Sequence, residues 1–145
     1  MFDKEFVKVI PTPFHESEFD IMKEGVLLHV DRKYTYDIIP SELIGGLLFQ
    51  GIHRPPKDYI VEIELLEPAI IYFFFHVTAN GDYDKIFESL DKWELCDTFP
   101  QYDIHNGEHG LKMIMYKYES DVGKIIIPPT RRKKACFNIV FQAKD

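Results

Sequence analysis

The sequence predicts an all-β protein, an antiparallel, jelly-roll-like β-sandwich of about eight strands with one short helix. Three observations lead there. Short apolar runs recur at intervals of roughly ten residues, each bounded by Gly, Pro, Asp or Asn. Several of these runs alternate apolar and polar residues at period two. Aromatic residues make up 14% of the 145 residues, with 12 Phe and 8 Tyr, and such side chains suit a pleated, half-buried surface.

Taken in order, Met1–Lys23 reads as an N-terminal arm and residues 24–145 as the sandwich domain. Charges dilute the apolar positions of the arm, and Pro11 and Pro13 oppose regular pairing, leaving one short strand at Phe6–Ile10. The domain runs expected as strands are Val26–Val30, Leu47–Gly51, Ile60–Leu66, Ile70–His76, Trp93–Thr98, Leu111–Tyr118, Gly123–Ile127 and Cys136–Gln142. In Ile60–Leu66, Val61, Ile63 and Leu65 share one face, with Glu62 and Glu64 on the other. Leu111, Met113 and Met115 likewise fall on one face. Ile70–His76 is apolar on both faces and should be a central, covered strand. Tyr83, Ile86, Phe87 and Leu90 follow the i, i+3, i+4, i+7 spacing of a short amphipathic helix after the turn Asn80-Gly81-Asp82.

Composition bounds the function. With 46% hydrophobic residues, the chain can fill one core without disulfides or metal. A net charge of −7 argues against bulk attraction to nucleic acid. No apolar stretch is long enough to span a membrane, and Met1–Ile10 does not read as a secretory signal. The expected location is therefore the cytoplasm, unless the chain is a domain cut from a secreted protein. Cys96 and Cys136 each sit in an apolar segment, as buried thiols do, and neighbouring strands could also pair them.

His105-Asn-Gly-Glu-His109 puts two histidines four apart beside Glu108, a pattern that on a helix can hold zinc for a metal-dependent hydrolase. Gly107 and Gly110 disfavour that helix, and the order differs from H-E-x-x-H, so a solvated loop is the simpler reading. His15, His29, His53 and His76 are scattered and read as packed or surface residues. There is no G-x-S-x-G elbow and no phosphate-cradling glycine loop. Gly45-Gly46 reads as a turn, and no pair of carboxylates can be matched across a cleft. The expectation is no catalytic residue, no metal and no cofactor.

Aromatic and charged loop positions supply the candidate binding residues. A flat ring can stack on the apolar face of a sugar, and Tyr34, Tyr36, Tyr59, Tyr83, Trp93 and Tyr102 are aromatic candidates, each of which could equally be core. Tyr83 and Tyr102 are flanked by Asp82 and Asp103 in loop-like sequence. The candidate ligand contacts are Tyr83, Trp93, Tyr102, Asp103 and His105. The basic run Arg131, Arg132, Lys133 and Lys134 follows Pro128-Pro129-Thr130 on an expected loop. It is a candidate contact for an anion, acidic lipid or partner, or else a solvated turn that guards a strand edge.

The stretch Asp31-Arg-Lys-Tyr-Thr-Tyr36, then Ile39-Pro40 and Leu43-Ile-Gly45, resembles the start of accessory β-sandwich modules, galactose-binding-like, of secreted bacterial carbohydrate-active proteins. Ile60–Leu66, Ile71-Tyr72, Trp93 and Gly123-Lys-Ile-Ile-Ile-Pro128 resemble later landmarks of such modules. The likeness runs from about Leu28 to Gln142 and rests on turn, core and edge positions. It implies the sandwich and, by extension, sugar binding, although a shared fold does not carry function by itself. The acidic arm and the basic loop depart from that pattern.

The leading expectation is a non-catalytic binding module that meets a glycan or a protein surface with its sandwich-end loops. One alternative is a cytosolic structural or scaffold protein that docks partners, or a membrane surface peripherally, through the arm or the basic loop. Another is the hydrolase built on His105 and His109.

Overall fold

The computed structural model describes residues 6–12, 17–28, 30, 34–51, 60–76, 92–98, 100–103, 109–127 and 137–144. Within them lie eleven strands: β1 Val7–Thr12, β2 Glu18–Ile21, β3 Thr35–Ile38, β4 Leu47–Gln50, β5 Ile60–Leu65, β6 Ala69–His76, β7 Glu94–Leu95, β8 Gln101–Asp103, β9 His109–Ser120, β10 Gly123–Ile127 and β11 Phe137–Ala143. A 3₁₀ turn, Ser41–Leu43, interrupts them. The expected helix at Tyr83–Leu90 lies outside the described residues.

The strands form two antiparallel sheets, as the sandwich expectation requires. The smaller has the order β1-β5-β10, and the larger β2-β4-β11-β6-β9-β8-β3, with β7 also paired to β9. The chain passes between sheets twice at one corner, from Leu65 to Ala69 and from Ser120 to Gly123. These crossings are neighbours, because Ala69 faces Ser120 in one sheet and Leu65 faces Gly123 in the other.

Alternation within each strand builds the core between the sheets. Ile71, Phe73 and Phe75 of β6 and Phe137, Ile139 and Phe141 of β11 point inward from the larger sheet. Val61, Ile63 and Leu65 of β5 meet them from the smaller one, while Glu62 and Glu64 face away. Rings interlock there: Phe73 stacks on Phe137 at 5.2 Å and Phe75 on Tyr116 at 6.2 Å.

The larger sheet is also covered on its outer face. Leu48, Tyr72, Phe74, Met115 and Val140 pack there against Met22, Val26, Leu28, Tyr36 and Leu43. That second layer explains why β6 is apolar on both sides.

Four segments differ from expectation. The arm residues enter both sheets, β1 pairing with β5 and β2 with β4. Pro11 is accommodated opposite Val61 because β1 is an edge strand, where one row of amides has no ladder partner to lose. Among the described residues of Val26–Val30 there is no strand. The segment turns at Gly25, whose φ of +87° suits glycine, and bridges only Leu27 to Thr35, because its apolar side chains roof the outer core. In Trp93–Thr98 the strand is only Glu94 and Leu95, followed by one further bond to β9, from the Cys96 N–H to the Met115 carbonyl at 2.9 Å. The short strands β3 and β8 pair with each other at the far edge of the larger sheet.

Candidate ligand-binding site

Strand β9 organises the candidate residues. Near its start, β8 runs beside it, with Asp103 opposite His109. Tyr102 lies opposite Tyr36 on the next strand. Nearer its end, β7 pairs with it, Glu94 opposite Lys117 and Leu95 opposite Tyr116. Nine positions separate His109 from Tyr118, about 30 Å of strand. The predicted contacts are therefore split: Tyr102 and Asp103 lie towards one end of β9 and Trp93 towards the other.

Trp93 is half-buried and leans on Tyr118, with ring centroids 5.3 Å apart at 40°. Both rings border the core between the sheets. Beside them opens a hollow of about 360 Å³ lined by Lys92, Glu94, Lys117, Tyr118 and Glu119. Two ammonium groups, which only donate hydrogen bonds, and two carboxylates, which only accept them, line it, while the Tyr118 ring turns to the opposite face of β9 from Lys117 and Glu119, toward the core between the sheets. Glu94 and Glu119 are exposed. Lys144 Nζ stands 4.0 Å from Glu119 Oε2 and 4.0 Å from Asp121 Oδ1.

Lys92, Glu94, Lys117, Tyr118 and Glu119 were not among the sequence candidates. Tyr118 shares the period-two face of Ile114 and Tyr116, which gave one signal. The pairing that brings it to Trp93 is a register between distant segments, which periodicity does not encode. Tyr36 is corrected from a stacking candidate to a core residue. It is 1% exposed, its ring meets Phe74 edge-on, and its hydroxyl donates to Asn138 Oδ1. Tyr83, His105 and Arg131, Arg132, Lys133 and Lys134 lie outside the described residues, as do Tyr59 and Cys136.

Cys96 carries a free thiol beside the outer core. Burial, with a smaller contribution from the Glu42 carboxylate, pushes its pKa from 9.0 up to about 11. Burial also raises the Tyr72 phenol. Among the described residues no group of three or more His, Cys, Asp or Glu side chains is placed to hold a metal ion. Among them, too, no helix is long and apolar enough to cross a membrane.

No protein-family model and no curated protein matches this chain. Among solved structures it is similar to a beta-glucuronidase from glycoside hydrolase family 2. That likeness takes in 100% of this chain and 15% of the other, with a TM-score of 0.75 and 14% identity. At that identity the fold is what is shared: this chain has the form of one β-sandwich portion of a much longer protein.

Proposed function

We propose that the protein is a non-catalytic carbohydrate-binding module whose ligand sits in the hollow beside Trp93 and Tyr118. The arrangement of that hollow carries the reading. A sugar presents an apolar face and a rim of hydroxyls. Lys92 and Lys117 can donate to ring or hydroxyl oxygens, Glu94 and Glu119 can accept from hydroxyls, and Tyr118 borders them at the edge of β9. Two further observations support it. The similar solved structure is a carbohydrate-active enzyme, and the sequence resembles accessory modules of such proteins.

Binding is favoured over hydrolysis by the setting of the carboxylates. A glycosidase needs one carboxyl held in an apolar, water-poor pocket so that it stays protonated for acid catalysis. Glu94 and Glu119 stand in water at the rim of an open hollow.

The test is a glycan array probed with the folded chain, followed by titration of any ligand found. Lys117→Ala and Glu94→Ala should each weaken binding by about tenfold, the size expected for a central contact. A folded protein that retains no glycan, or one whose glycan binding ignores both substitutions, overturns the proposal.

A further inference from the structure

The outer face of the larger sheet holds a phenol that the fold itself does not use. Tyr72 on β6 is 7% exposed, and among the described residues its hydroxyl has no hydrogen-bond partner. The hydroxyl still touches solvent. A buried phenol ordinarily finds a partner. Tyr36, in the same outer core, finds one in Asn138.

Register places this phenol beside the hollow. Tyr72 stands directly opposite Lys117 on β9, and Lys117 stands opposite Glu94 on β7. Directly opposed residues share a face of the sheet, and Glu119, two positions after Lys117, lies on that face as well. Lys117, Glu94 and Glu119 all line the hollow. The Tyr118 ring leaves this side for the core between the sheets, so Tyr72 brings an aromatic hydroxyl to the hollow's own side.

Charge limits what that hydroxyl can meet. Burial first, and the Glu42 carboxylate second, hold its proton in place, so it is available as a donor. Around it Lys92 and Lys117 stand against Glu42, Glu94 and Glu119. Lys144 adds a cation but is shared between Glu119 and Asp121, and Asp97, next to Cys96, adds another carboxylate. Among the described residues carboxylates are therefore in excess here. A ligand carboxylate or sulfate entering the hollow meets its own sign, and an uncharged oxygen does not.

We propose that Tyr72 selects the ligand of the hollow, its hydroxyl donating to an uncharged oxygen, so that the site takes neutral glycans over acidic ones. This rests on the glycan-binding reading of the hollow and narrows it. The phenol is already withdrawn from most of its water and gains a hydrogen bond when the right ligand arrives. A ligand without the matching acceptor leaves it unpaired, which is how a polar group in a site discriminates.

The test is a glycan array carrying neutral, uronic-acid-containing and sulfated oligosaccharides, probed with the full chain. Neutral glycans should be retained over acidic ones. The tightest is then titrated against the parent, Tyr72→Phe and Lys117→Ala. Tyr72→Phe should weaken binding by about tenfold. Its urea midpoint should not fall, because the hydroxyl has no partner in the fold to lose, and this separates a ligand contact from a structural role. Affinity weakened by Lys117→Ala but unchanged by Tyr72→Phe overturns this proposal and leaves the glycan-binding reading standing. So does an array on which acidic glycans bind as well as neutral ones. A midpoint lowered by Tyr72→Phe shows that the hydroxyl serves the fold and overturns the proposal too. An array that retains no glycan overturns both readings.

Discussion

The Tyr36 hydroxyl donates to the Asn138 side-chain oxygen across 102 positions of sequence, inside the outer core. Asn138 is fully buried, and its amide donates in turn to the carbonyls of Leu28, at 2.7 Å, and Phe49, at 3.1 Å. One side chain of β11 therefore fastens β3, the roofing segment and β4. Tyr36→Phe strands the buried Asn138 oxygen and should cost about 1–3 kcal/mol. Asn138→Ala removes the hub and should cost more, because two carbonyls and a phenol lose their partner together. Urea unfolding reads both, as a lower midpoint at unchanged slope. A midpoint unmoved by Tyr36→Phe would refute the role given to this bond.

Gly45 and Gly46 are adjacent but constrained for different reasons. Gly45 sits at φ +82° with open space around it, so a side chain there meets only backbone strain. Gly46 lies against β11: a Cβ would come within 2.6 Å of Val140 Cγ1 and 3.0 Å of the Gln142 amide. Gly45→Ala should cost about 1–2 kcal/mol from conformation alone. Gly46→Ala should cost about 1–3 kcal/mol from overpacking. The two are separable by a double-mutant cycle with Val140→Ala, which should couple to Gly46→Ala and not to Gly45→Ala. Equal coupling for both would show that the close approach at Gly46 is not what limits it.

The Cys96 thiol should be slow to react. With its pKa pushed up to about 11, its thiolate fraction at pH 8 falls about a hundredfold relative to a thiol at 9.0. The more basic thiolate is the better nucleophile and recovers about tenfold of this, leaving a net slowing of about tenfold in disulfide exchange. The folded state holds this proton more tightly than the unfolded chain. Its contribution to stability is therefore complete below pH 9 and lost as pH rises through about 11. The measurement is reaction with an aromatic disulfide in a Cys136→Ser background, folded against urea-unfolded. Glu42→Gln should speed the folded reaction, because that carboxylate raises the pKa. Equal rates folded and unfolded would contradict the burial argument.

Strands with many inward residues announce themselves by period, which is why β4, β5, β6, β9, β10 and β11 lie where the apolar runs are. The two-faced run of β6 also foretells a covered strand, although not what covers it. Strands β2, β3 and β8 are short, and polar residues such as Glu18, Asp20 and Asp103 hide them. They exist because a neighbouring strand edge offers pairing, not because of local pattern. Val26–Val30 shows the converse: an apolar run that adds only the Leu27–Thr35 bridge to the sheet edge while Val26 and Leu28 cover the outer core. At the candidate site Trp93 could be named as the lone tryptophan. Lys117 and Tyr118 could not, because the register of β7 on β9 joins segments more than twenty residues apart.

Lys92 joins local strain to the proposed site. Its φ of +76° is left-handed backbone, which costs a lysine of order 1 kcal/mol and costs glycine almost nothing. The exposed side chain also lines the hollow beside Tyr118. Lys92→Gly should therefore raise stability by up to about 1 kcal/mol and weaken glycan binding, two effects that a merely structural residue would not show in opposition. Lys92→Asn is the control, since asparagine tolerates this backbone and lacks the amine. It should lose binding with little change in stability. Melting and glycan titration of the three proteins decide the matter. If Lys92→Gly is less stable than the parent, the conformation is not strained. If both variants bind glycan as the parent does, the lysine is no part of the site.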